Sequence, residues 1–118
     1  MSINTVAFKK TMLAWDAIAK KAPIDIVQEV KKIAGEHPEA EKLGTAWVSQ
    51  ITTINHTLHD ALDKVVNAKD DKSRADAAKN ASGIVKKYQA FVTGTHLPPD
   101  VQTHLKNGLA ELAKGLGT

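Results

Sequence analysis

The stretch NHTLHDALD, residues 55–63, holds two histidines and two aspartates. His56 and His59 stand three residues apart, and Asp60 and Asp63 each follow one of them at four. On a helix, residues four apart lie one above the other, so His56 can touch Asp60 and His59 can touch Asp63. Two imidazoles at this spacing beside carboxylates are ligand chemistry for zinc, nickel or copper. Placement argues the other way. Ile51 and Leu58 mark the centre of the buried stripe, and His59 falls roughly 80–100° from it, with His56, Asp60 and Asp63 farther toward solvent. A built metal site draws three or four ligands and a supporting shell, which one wet helix face does not supply. His96 and His104 join only if the last helix lies alongside. The favoured reading is therefore a solvated face with two His–Asp pairs. No metal and no cofactor is assigned, and haem, which needs an inward axial histidine, does not fit.

Asn55 is the odder residue. It falls inside the apolar stripe, among Ile51, Leu58 and Leu62. A buried amide must find partners or cost several kcal/mol. Three roles fit: a register-setting contact between helices, a ligand contact inside the bundle, or hydrogen bonding at the core edge, directly or through water. The last is preferred, so leucine at 55 is expected to be tolerated or mildly stabilising.

The remaining chemistry is sparse. Cysteine is absent, which excludes disulfides and thiolate sites. No serine stands in a G-x-S-x-G context, no glycine-rich phosphate loop appears, and no E-x-x-H pair supports a di-iron bundle. Glu36, Glu39 and Glu41 suit a helix start near its dipole. The expectation is a protein that is not an enzyme.

The elements that position these residues are helical. The 118 residues, 42% hydrophobic and 25% charged, fit a single globular domain over 1–118. Strand signals are missing. Five segments are expected: about Asn4–Ala22, stopped by Pro23; about Asp25–Ala34, capped by Gly35; a third from Pro38 or Thr45 to about Ala68; a fourth capped by Asp70, Asp71 or Ser73 and ending before Gly94; and a fifth from about Pro99 to Lys114. The third carries the stripe Leu43, Trp47, Ile51, Ile54, Leu58, Leu62 and Val65; the fourth, Ala77, Ala81, Ile84, Tyr88 and Phe91 beside Val85 and Val92; the fifth, Val101, Leu105, Leu109, Leu112 and Leu116. The fold class is all-α: an antiparallel bundle of four long amphipathic helices plus one short helix. Unbroken from Pro38 to Ala68, the third helix would reach about 45 Å and leave apolar surface beyond its neighbours. Either a break avoids this or a second copy covers the exposed end; Gly44 and Thr45 read as a break and a cap, which leads to a monomer or weak homodimer.

The first helix has two faces. Phe8, Met12, Trp15, Ile18, Ala19 and Ala22 form its core stripe. Opposite run Val6, Leu13 and Ala17, edged by Lys9 and Lys20 on one side and Lys10 and Lys21 on the other. The lysine pairs repeat at eleven residues, close to three turns, so they align. Lys31 and Lys32 keep that spacing beyond Pro23. Leucine 13 packing under the second segment is the bland account. A docking surface for an acidic partner protein, a second copy of this chain or a membrane surface is the functional one, with another protein, acidic in character, preferred. Net charge is +3, yet fifteen of the sixteen basic residues are lysine and Arg74 is the sole arginine. That balance argues against specific nucleic-acid binding, which favours arginine. No run is long enough to span a membrane and no leader is evident, so cytoplasmic residence is expected, with leaderless export left open. The function expected is a protein-interaction or binding module: an adaptor, small chaperone, inhibitor or immunity-type protein. The alternative is a ligand- or metal-binding bundle using the His56/His59 face or a pocket near Asn55.

Overall fold

The structure, a computed structural model, describes residues 3–117. It is all-helical: α1 spans Thr5–Ala34, α2 Glu39–Asn67, α3 Asp71–Gly94 and α4 Pro99–Gly115. Local chemistry sets the starts. The Asn4 side chain accepts from the Ala7 amide at 3.1 Å, and Asp70 accepts from the Ser73 amide at 2.7 Å. Pro99 opens α4, where a missing N–H costs nothing.

The helices form a bundle in which α1 meets α2 and α4, and α3 meets α2 and α4. Gly108 faces Trp15 and Gly115 faces Phe8, so α4 numbers fall as α1 numbers rise. Buried residues from all four helices make one core. Every residue of the expected α4 stripe is buried. The α3 stripe is turned from expectation: Ala78, Ala81, Ser82, Val85, Tyr88 and Val92 are buried, while Ala77, Ile84 and Phe91 are half-buried. A helix wedged between α2 and α4 hides the arc between two neighbours, and that arc is not the most apolar line.

Among the described residues there are four helices rather than five, because α1 continues through Pro23. Proline removes the bond to the carbonyl four residues back, which here is that of Ala19. Asn55 of α2 reaches across and donates its Nδ2 to the Ala19 oxygen at 3.1 Å. The orphaned carbonyl is satisfied from another helix, and α1 continues.

The break at Gly44 is also absent, since α2 is continuous from Glu39. Thr45 bonds its hydroxyl back to the Glu41 carbonyl at 2.9 Å, inside the helix, instead of capping a new one. Gly44 is buried, and a Cβ there would stand 2.5 Å from Val30 Cγ2. The glycine admits a close crossing of α1 and α2.

Two unbroken helices of 30 and 29 residues against partners of 24 and 17 make a rod of 54 × 19 × 19 Å. The α1–α2 hairpin outreaches α3 and α4. Ile33 shares the buried α1 row of Ile26 yet is 49% exposed, and Leu43 shares the α2 row of Ala61 yet is 51% exposed. No helix among the described residues is long and apolar enough to cross a membrane.

Candidate functional site

Asn55 is the hub where three helices meet. Its amide nitrogen binds α1 at Ala19, and its Oδ1 accepts from the Tyr88 hydroxyl of α3 at 2.6 Å. Burial raises the Tyr88 pKa well above its ordinary value, so the phenol stays a donor. The Tyr88 ring meets Trp15 edge to face at 5.5 Å. Both polar atoms of this half-buried amide are therefore used.

Just outside lies a groove of about 450 Å³ between α1 and α2. Trp15, Asp16, Ala19, Lys20 and Pro23 line it from α1; Thr52, Asn55, His56 and His59 line it from α2. Asn55 and both histidines thus share one concavity. The α1 contributors were not read as companions from sequence, because nothing local links Asp16 to His59.

His59 sits between two carboxylates. Its Nδ1 lies 3.3 Å from Asp16 Oδ1 on α1, and its Nε2 lies 3.3 Å from Asp63 Oδ2 on α2. A neutral ring can donate to only one of them. His56 Nε2 lies 3.6 Å from Asp60 Oδ2 on an exposed face. His104 lies elsewhere, in a groove between α1 and α4 with Asp25 and Lys21. Among the described residues, no group of three or more His, Asp or Glu side chains is arranged to hold a metal ion.

The outer face of α1 is a separate surface. Val6 is 70% exposed and Leu13 60%, and Ala17 is exposed between them and Pro23. Leu13 has no second segment to pack under, because that segment is the continuation of α1 itself. Continuity adds Ile24, 57% exposed, which falls on the Val6 row. It also places Lys31 and Lys32 on the same helix as Lys9, Lys10, Lys20 and Lys21, all six exposed. Asp16 is turned to His59, and Glu29 pairs with Lys32 at 3.0 Å. Asp25 shares the α1–α4 groove with Ala17 and Lys21, so the carboxylates that border the ridge are fewer than its lysines.

Arg74 has a structural task that its rarity did not reveal. Its Nη2 donates to the Ala68 carbonyl at 2.7 Å and its Nε to that of Val65 at 3.2 Å. Both belong to the end of α2, where carbonyls lack helical partners. Among the described residues, Ser82 Oγ is the one buried side-chain oxygen without a hydrogen-bond partner. No protein-family model, curated protein or solved structure matches this chain.

Proposed function

We propose that this protein is a non-enzymatic interaction module that docks another protein of acidic character on the outer face of α1, through Val6, Leu13 and Ala17 and the flanking Lys9, Lys10, Lys20 and Lys21. The observation that carries this reading is the apolar row, whose largest members are more than half exposed, between lysine pairs that outnumber the carboxylates beside them. Isolated exposed side chains need no explanation, but an aligned row with mainly basic edges favours a complementary surface. On this reading the bundle is an antiparallel rigid scaffold in one cytoplasmic domain; the unbroken α2 removes the ground for a monomer, and a weak homodimer over the exposed Ile33 and Leu43 fits it better. The test is in-cell crosslinking from Lys20 followed by identification of the captured partner. One stoichiometric protein, lost on Leu13→Asp with the fold retained, supports the reading. Capture unchanged by that substitution ends it.

The groove favours a second reading, a small-ligand site. It gathers Trp15, Asp16, Asn55, His56 and His59 around one volume. Polar groups converging on an aromatic wall are common in ligand pockets. A small molecule or metal ion that co-purifies, and is lost on Thr52→Trp, would favour this second reading.

A further inference from the structure

We infer that the occupant of the outer face of α1 is an acidic amphipathic α-helix, docked lengthwise along the seam between Val6 and Lys31. This deepens the proposed function and rests on it.

The spacing of the row sets a helical register. Val6, Leu13, Ala17, Ile24 and Val27 are spaced seven, four, seven and three. Those intervals place all five at the a and d positions of one unbroken heptad frame, the seam by which one helix packs on another. The seam drifts by about 20° per heptad on a straight helix, so it follows a partner that winds gently around α1. Val27 is 42% exposed, which keeps the lower end open. The continuity of α1 through Pro23 makes the frame whole, since the seam crosses that residue.

The three seam positions left over between Val6 and Lys31 are Lys10, Lys20 and Lys31, all exposed. Lys9 and Lys21 flank the seam on its two sides. Lysine in a seam specifies its partner, because only carboxylates opposite it satisfy the charge. A second copy would crowd the same lysines onto one seam, where no seam position carries an acid and the flanking Asp16 is turned to His59. An anionic lipid surface would suit the lysines, but lipid takes a broad apolar arc. The row here is as narrow as a two-helix seam. From Val6 to Lys31 the seam is about 38 Å long, so the matching partner helix has about 25 residues.

The test uses the full chain and a labelled synthetic helix with leucine at a and d and glutamate opposite Lys10, Lys20 and Lys31. A charge-reversed peptide with lysine for each glutamate and vesicles of equal parts phosphatidylcholine and phosphatidylserine are run beside it. Saturable binding of the acidic peptide is expected, weakened about tenfold between low and high salt because the lysines are exposed. Leu13→Asp and Lys20→Glu should each weaken it by about tenfold or more while circular dichroism stays unchanged. Binding to the vesicles alone, equal binding of both peptides, or binding unmoved by the two substitutions overturns the inference. So does no binding by the folded protein. A native partner still lost on Leu13→Asp would, in that case, leave the interaction-module reading standing with a different occupant.

Discussion

Asn55 donates to the Ala19 carbonyl that Pro23 leaves without a helical donor. The two residues that look most out of place, a proline inside a helix and an amide inside an apolar stripe, answer one another across the α1–α2 seam. The expectation that leucine would be tolerated at 55 is thereby reversed. Asn55→Leu strands both the Ala19 carbonyl and the Tyr88 hydroxyl and should cost about 2–3 kcal/mol. Pro23→Ala restores an N–H for that carbonyl. In its background the cost should shrink by about 1 kcal/mol, read from a double-mutant cycle in urea. Additive costs would mean that the two residues are not linked.

Gly44→Ala tests the crossing of α1 and α2. Alanine is the better helix former by about 1 kcal/mol, yet its Cβ would meet three atoms of the branched Val30 side chain within 3.3 Å. The clash should win, with a net loss of about 1–2 kcal/mol. In a Val30→Ala background the same change should turn neutral or stabilising. Loss of equal size in both backgrounds would disconnect Gly44 from Val30.

Arg74→Lys should lower stability by about 1–2 kcal/mol despite keeping the charge, because an ammonium cannot span the Val65 and Ala68 carbonyls as the guanidinium does. Melting curves of Arg74→Lys and Arg74→Ala together decide this. If lysine behaves like the parent, the bidentate contact has no weight.

The Ser73 backbone amide holds the Asp70 carboxyl below its ordinary value of 3.8. Folding therefore favours the carboxylate, and its contribution is present above pH 3.8 and disappears as the pH falls through the lower folded-state value. Asp70→Ala should lower the melting temperature by a few degrees at neutral pH. The gap to the parent should narrow in strong acid, and a gap independent of pH would remove the carboxylate from the cap.

The last helix was fully legible in the sequence: Pro98 and Pro99 mark its start, and Val101, Leu105, Leu109 and Leu112 repeat with the helical period. What was hidden depends on partners distant in sequence. Pro23 reads as a stop unless the donor on α2 is known, and Gly44 reads as a break unless Val30 is known to need its space. The same reason separated Ile24 from the Val6–Leu13 row and Asp16 from His59. Local pattern reports which face of a helix is apolar, but not which polar groups another helix will bring to it.

The overhang of the α1–α2 hairpin also sets an order of opening. Around residues 33–43 the backbone has few packed neighbours, so its amides should exchange with solvent through small local excursions. Amides near Leu58, Tyr88 and Leu105 should exchange only when the whole molecule unfolds. A protease at low dose should nick the turn around Gly35–Pro38 first and leave the four-helix portion associated, so the chain would behave as two cooperative units of unequal stability.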